Sequence, residues 1–387
     1  MDDMELQSGE RDPEQLHVSI IIPDLFKGFV VRDPPLNIYY KDTKKASEQW
    51  LSSACDLLPE MCEKAKMVDA SYFCGIMAPE ASTSDFRILC DWANWVFPFD
   101  DMFDDGELRS RPDTARLVID GLISSMDGIE YSGPKHTMIS AHADILARLT
   151  DVIAPPPCDG RRSEFEYLSS HDSRLKRNAE TRGRYITSMK TYATGVLCQV
   201  LEDTNEHTAS VYSMINMRRK VIGISPFYQF IELVHGLRIP SNVFEDPMIQ
   251  KLQVLGEEMI LLANDIISYA REEREGVTHN LVTVYRLQGL SAQDAFESVG
   301  RLLDERFLDW NNSVRQLPTW NDNIDQQISL YIQGIQRVVQ ANVSWSHHTA
   351  RYKAGKLEEP ARQIQVLANP RYLKEHNFKG HHGEAHE

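Results

Sequence analysis

Residues 324–338 read IDQQISLYIQGIQRV, with apolar side chains at Ile324, Ile328, Tyr331, Ile335 and Val338. They return every three or four positions, which is the period of one helix face and not the alternation of a strand. The same spacing runs through Leu51, Cys55, Leu58, Met61 and Cys62. Between such stretches stand breakers: Pro79, Pro112, Gly133-Pro134, Pro155 to Pro157 with Gly160, Gly236 with Pro240, Pro247, Gly289 and Pro318. They divide the chain into roughly ten helices. The only β-branched run, Val18 to Ile22 before Pro23, reads as an extended lead-in strip. The pattern predicts one all-α domain over residues 18–365 without internal repeats. A polar tail over 1–17 precedes it, and a polar tail over 366–387 follows, carrying His376, His381, His382 and His386.

The composition supports a globular reading and narrows the partners. Of 387 residues, 42% are apolar and 25% charged, so the chain can bury a substantial core. A net charge of -16 opposes nucleic acid and anionic membrane surfaces, so any anionic substrate needs a locally built cationic site. The first 17 residues lack a basic start and an apolar core, and no apolar run approaches the ~20 residues of a membrane span, which predicts a soluble, cytoplasmic protein. Cys55, Cys62, Cys74, Cys90, Cys158 and Cys198 are scattered, with no CxxC pair, and read as buried free thiols.

The sharpest local feature is WVFPFDDMFDD, Trp95 to Asp105. On a helix Asp100 and Asp104 fall one turn apart on one face, and Asp101 and Asp105 form a second such pair. Stacked carboxylates at a helix C-terminus repel each other and oppose the dipole, at ~0.5 kcal/mol per pair, unless a cation lies between them. A solvated acidic helix end and a cation site both fit these residues. The aromatic neighbours, with Met102 and Phe103 inside the cluster, favour the cation site. A calcium loop fails: with Gly106 as its sixth position, Phe103 and Pro112 occupy ligand positions.

A second stretch, MILLANDIISYARE over 259–272, is apolar and helical. Asn264, Ser268 and Glu272 stand at i, i+4 and i+8, placing a carbonyl, a hydroxyl and a carboxylate on one face. They are either core side chains bonded within their own helix or a strip of ligands. Hard oxygen donors without Cys or His select magnesium or manganese and leave coordination positions for water and phosphate oxygens.

With both strips in view, the sequence resembles the class I terpene synthases, most closely the fungal sesquiterpene cyclases, from about residue 18 to 365. Their DDxxD motif matches Asp100, Asp101 and Asp104, and their second motif matches Asn264, Asp265, Ser268 and Glu272. The resemblance implies a helical bundle around an apolar cavity, with Mg²⁺, three ions in the family, held by Asp100, Asp101, Asp104, Asn264, Ser268 and Glu272; Mn²⁺ is an alternative. Many members place a diphosphate-sensing arginine about 46 residues before the second motif, and Arg218 stands there, with Arg219 as a one-residue alternative. Gly223, Ser225 and Pro226 supply the helix break that follows it, which would turn the Ile222 backbone toward the departing carbon. Val221 departs from the small polar or acidic residue usual in the family. Arg271 stands where relatives carry a diphosphate-touching lysine. Arg351 and Tyr352 match the family's late Arg-Tyr pair, preceded by Trp345.

The implied reaction is metal-assisted loss of diphosphate from farnesyl diphosphate and cyclisation of the allylic cation to a sesquiterpene hydrocarbon or alcohol. Geranyl diphosphate, or an acyclic alcohol product, is the alternative. The cavity wall must exclude water and present π-faces to a cation. Phe97 and Trp345 match family positions for that wall; Tyr72 or Phe73, and Phe227 or Phe230, are further candidates. Asn264 and Ser268 replace the second aspartate motif of chain-elongating prenyl diphosphate synthases. A catalytically silent helical binding protein is the reading from another class. The protein is expected to act as a monomer or homodimer on a small-molecule substrate.

Overall fold

The computed structural model describes residues 16–104, 106–152, 164–202, 210–352, 363–370 and 373. The expectations for Asp105, Cys158, Pro155 to Gly160, most of the N-terminal tail and the C-terminal histidines fall outside them. Helices dominate, as predicted. The first half holds α1 (Tyr40–Ala54), α2 (Pro59–Val68), α3 (Ala70–Met77), α4 (Thr83–Asp104), α5 (Pro112–Asp127), α6 (Thr137–Val152) and α7 (Glu164–Glu202). The second half holds α8 (Val211–Val221), α9 (Phe227–Val234), α10 (Ser241–Phe244), α11 (Pro247–Glu275), α12 (Leu281–Leu287), α13 (Ala292–Arg315) and α14 (Asp322–His348). Among the described residues no helix is long and apolar enough to cross a membrane.

Two long helices organise the interior. Along α14, Ile324, Ile328, Tyr331, Ile335 and Val338 are all buried, so the predicted face is the packed one. Along α11, burial runs without a gap from Met259 to Ile266, because α13 and α14 both pack against this helix. A helix apolar on every side is stable only when enclosed. On the other side of the bundle α4 packs against α1, α3, α6, α7 and α9.

The stretch Leu51 to Cys62 is not one helix, contrary to expectation. α1 ends at Ala54, Asp56 adopts a positive φ of 50°, and Pro59 opens α2. A proline is favourable at a first helical position, where its missing N–H has no partner to lose. The reversal leaves Leu58 and Met61 exposed while Leu51 and Cys55 stay buried. Nor are all the thiols buried: Cys55, Cys74 and Cys90 are, but Cys62 is half-buried and Cys198 exposed, all five being free.

The lead-in strip is a true strand, β1 (His17–Ile21), paired antiparallel with β2 (Gln363–Leu367), His17 opposite Leu367. Both domain edges expected at 18 and 365 therefore lie inside the pairing. Its inward side chains, Ile20 and Val366, are fully buried. Arg286 of α12 donates to the carbonyls of Leu367 and Ala368, at 3.0 and 2.8 Å, and to Glu273 Oε1 at 3.0 Å. The Leu367 N–H donates to Glu273 Oε2 at 2.8 Å. A buried ion pair thus ties the ribbon to the end of α11.

Candidate active site

The last turns of α4 place Asp100 and Asp104 on one face, as the spacing predicts, and both line a cavity whose opposite wall is α11. Asp100 Oδ1 accepts from the Tyr192 hydroxyl at 2.7 Å and Asp104 Oδ1 accepts from Gln199 Nε2 at 2.8 Å. Asp101 lies at the mouth of the cavity instead of inside it. It accepts from Arg351 Nη2 at 2.7 Å and is paired with Lys64 at 3.0 Å. Burial and the neighbouring Asp104 push the Asp100 carboxyl well up, and burial raises Asp104 despite the Arg218 charge. Burial works against the charge of Asp101 too, yet Arg351 and Lys64 overcome it and hold that carboxyl below its ordinary value. The acidic cluster is therefore no solvated helix end: two carboxylates lack a full countercharge and a third is used to anchor an arginine.

Across the cavity, Asn264 and Glu272 line the α11 wall, and Ser268 lies between them on that helix, one turn from each and fully buried. Asn264 Oδ1 accepts from Arg218 Nη2 at 2.9 Å, and its Nδ2 donates to the Tyr352 hydroxyl at 3.1 Å. Glu272 Oε2 accepts from Asn280 Nδ2 at 2.9 Å. Ser268 is fully buried and its Oγ has no hydrogen-bond partner. An orphaned buried hydroxyl is costly, and a hard cation beside it would satisfy it. Among the described residues no three His, Cys, Asp or Glu side chains form a ready cluster, as fits a donor set split between two walls and built partly from an amide and a hydroxyl. The oxygen-only chemistry, the orphaned hydroxyl and the unneutralised carboxyls fit a hard divalent cation.

Arg218 lies in the last turn of α8, with Nη2 2.8 Å from Asp265 Oδ1, so a fully buried carboxylate holds the guanidinium against Asn264. Asp265 also accepts the Leu281 N–H at 2.7 Å. Burial pushes its carboxyl up to about 6 even though the Arg218 charge pulls it down. Arg219, the one-residue register alternative, turns to Glu257, at 3.3 Å, and lines a different cavity. After Val221 the helix stops, Gly223 takes a φ of +69° that favours glycine, and α9 begins at Phe227. Val221 and Ile222 line the cavity as apolar wall.

At the mouth, Arg351 and Tyr352 form a single turn after α14. Thr349 Oγ1 donates to the Val68 carbonyl at 2.9 Å, which fixes that turn on the α2–α3 junction. Arg271 lines both the cavity and its mouth, its guanidinium carbon 5.8 Å from the Tyr352 ring centre. Its Nε is buried without a partner. Deeper in, the Phe97 and Trp345 rings lie 5.0 Å apart, and Trp345 Nε1 donates to the Val68 carbonyl at 2.7 Å. Of the paired alternatives, Phe73 and Phe227 line the wall. Tyr72 instead stacks on His348 at 3.8 Å, and Phe230 packs behind, 5.6 Å from Trp92.

The arrangement is a cavity with a polar mouth and an aromatic floor. The family model for terpene synthase family 2, C-terminal metal binding, matches residues 91–309, a span that includes both oxygen strips. Silphinene synthase PeniA of Penicillium patulum is 30% identical over 92% of this chain and 91% of its own length. The chain belongs to the terpene synthase family. Among other relatives of this terpene synthase, the (+)-eremophilene synthase of Gibberella fujikuroi is 27% identical over 86% of this chain and 87% of its own. The solved structure of T181N cucumene synthase superposes with a TM-score of 0.67 at 21% identity, covering 83% of this chain and 98% of that one. Germacradien-4-ol synthase from Streptomyces citricolor gives 0.65 at 18% identity, covering 84% and 100%. At those identities the structural likeness speaks for the helical fold alone. The family model carries metal binding by its description.

Four residues of this terpene synthase site escaped the sequence reading. Tyr192 and Gln199 come from α7 and carry no motif; Lys64 is one of two lysines on α2 and nothing local marks it out from Lys66. Asn280 had a usable signal as the N-cap of α12, where its side chain accepts from the Val282 N–H. Its second role, donating to Glu272, depends on the chain folding back against α11.

Proposed function

We propose that this terpene synthase ionises farnesyl diphosphate with the help of Mg²⁺ and closes the allylic cation to a sesquiterpene. The single observation that carries the reading is the meeting of Asp100, Asp104, Asn264 and Glu272 around one cavity floored by Phe97 and Trp345. One relative, from Postia placenta, is named sesquiterpene synthase 1, in keeping with a C15 substrate.

Asp100 and Asp104 from one wall, and Asn264, Ser268 and Glu272 from the other, would hold the metal, three ions on the family pattern. Asp101, committed to Arg351 and Lys64, serves in this reading to set the arginine at the mouth. When bound, the metal supplies Lewis-acid neutralisation of the diphosphate as its allylic C–O bond breaks. Arg218, Arg351, Arg271 and Tyr352 surround the same mouth and offer donors to the departing oxygens. Guanidinium groups stay charged throughout; burial disfavours the charge on Arg218 and Arg351, but Asp265 and Asp101 respectively raise their proton affinity above the ordinary value. The apolar wall of Phe73, Val221, Ile222 and Phe227 excludes water from the cation, and the faces of Phe97 and Trp345 stabilise it.

Incubation with geranyl, farnesyl or geranylgeranyl diphosphate and Mg²⁺, with volatile products identified by mass spectrometry, tests the assignment. Farnesyl diphosphate should give the highest kcat/KM and a cyclic C15 product; consumption of none of the three would remove it. Mg²⁺ with inorganic diphosphate should also raise the melting temperature, by the equivalent of about 2.7 kcal/mol at a hundred times Kd. Chelation of the metal should reverse the shift.

The pH dependence follows from the carboxyls. Burial, and for Asp100 the facing Asp104, raise both proton affinities, so protons compete with a cation for these two groups at a higher pH than for an ordinary carboxylate. Apparent Mg²⁺ affinity should therefore fall as pH is lowered through a range above that of ordinary carboxylates. Mg²⁺ titrations by calorimetry across a pH series should show that fall; an affinity that weakens only at the pH of ordinary carboxylates would contradict the assignment of these two groups.

A further inference from the structure

Two cavities meet at Phe97. The reaction chamber measures about 100 Å³, small beside the ~300 Å³ at which ligand cavities usually begin. On another face of α4 lies a second cavity of about 380 Å³, walled by Leu57, Leu58, Met61, Ala65, Val68 and Met138. Phe97 lines both. Apart from Asp101 and Lys64 on its rim and the shared Phe97, the residues of the second cavity take no part in the mechanism above. Its polar rim includes Asp56, Asp101 and Glu107 against Lys64, an acid excess that disfavours a second diphosphate. Its apolar lining is costly to keep wet.

Of the two aromatic residues that floor the chamber, Phe97 is the less restrained. Trp345 is tethered through its indole N–H to the Val68 carbonyl, whereas Phe97 has no polar atom to anchor and is only half-buried. It also precedes Pro98 inside α4. A proline there removes the N–H that would bond the Asn94 carbonyl, which loosens the helix at this turn.

We propose that Phe97 is a movable partition and that the second cavity is the expansion space of the reaction chamber, taking up the ring when a long isoprenoid chain enters. The proposal rests on the prenyl diphosphate reading and deepens it: the volume behind Phe97, more than the chamber itself, sets the longest chain accepted.

Ala65 faces the second cavity from α2 and lies outside the metal and diphosphate machinery, so A65W fills the space from the far side. Steady-state kinetics with geranyl, farnesyl and geranylgeranyl diphosphates, compared as ratios of kcat/KM, read the effect. A65W should lower the farnesyl-to-geranyl ratio by about tenfold or more, since a single methylene already discriminates by about 10–200-fold. The melting shift with Mg²⁺ and inorganic diphosphate should persist. F97A should raise the geranylgeranyl-to-farnesyl ratio, and A65W/F97A should cancel that rise. If A65W does not fold, L58W enters the same cavity from a largely exposed position. A folded A65W or L58W with wild-type ratios, or a rise in F97A that survives A65W, overturns the proposal alone. A wild type that consumes none of the three substrates overturns the underlying reading, and the proposal with it.

Discussion

Asp100→Asn should lose about 10³-fold or more in turnover of farnesyl diphosphate, while melting no lower than the native chain in metal-free buffer. The loss follows because a metal ligand supplies several kcal/mol of transition-state stabilisation, at about 1.4 kcal/mol per decade. The retained stability follows from the surroundings of Asp100. Burial and Asp104 raise its proton affinity, so at neutral pH the ionised form is a cost to the folded state. The stability this carboxyl can contribute is present at low pH and is lost as pH rises through its raised pKa. An amide removes that cost and still accepts from the Tyr192 hydroxyl through Oδ1. A residue kept for packing would behave in the opposite way, losing stability on substitution. Steady-state assays paired with melting curves separate the two; a variant of wild-type activity would exclude Asp100 from the metal site.

Arg218→Gln should behave differently and destabilise the protein by about 3–5 kcal/mol, the usual consequence of stranding a buried charge. Asp265, with no exposed surface, would keep only the Leu281 N–H at 2.7 Å and lose its cation. Asn264 would lose the donor at 2.9 Å that now fixes its carbonyl. Arg218→Lys should recover part of the stability but not the activity, since a point charge cannot bridge Asp265 and Asn264 together. The midpoint of urea unfolding reads the first effect and kcat the second. An R218Q protein with unchanged midpoint would show that the Arg218 to Asp265 pair does not hold this wall in place.

How much of this was legible in the sequence depends on the distance over which each feature is encoded. The face of α14 and the two oxygen strips are local patterns, and a helix converts spacing directly into a shared face. Position along α4 placed Asp101 a third of a turn from Asp100, but only the fold shows that the step carries it to the mouth and into a pair with Arg351. The pairing of Arg218 with Asp265, and of Asp100 with Tyr192, joins residues tens of positions apart, and no local period records such contacts. Local pattern also misled once. The apolar spacing from Leu51 to Cys62 is continuous, yet Pro59 and the positive φ at Asp56 divide it into two helices. Residues of that reversal, Cys55 to Leu58, line the cavity behind Phe97.

The central claim is that the oxygen faces of α4 and α11 hold divalent metal jointly before an apolar chamber. A crystal structure of the enzyme with Mn²⁺ and inorganic diphosphate, read by anomalous scattering, tests it most directly. Peaks within coordination distance of Asp100 on one side and of Asn264, Ser268 and Glu272 on the other, bridged by the diphosphate, are the predicted result. Manganese bound on one wall only, or away from both, would contradict it.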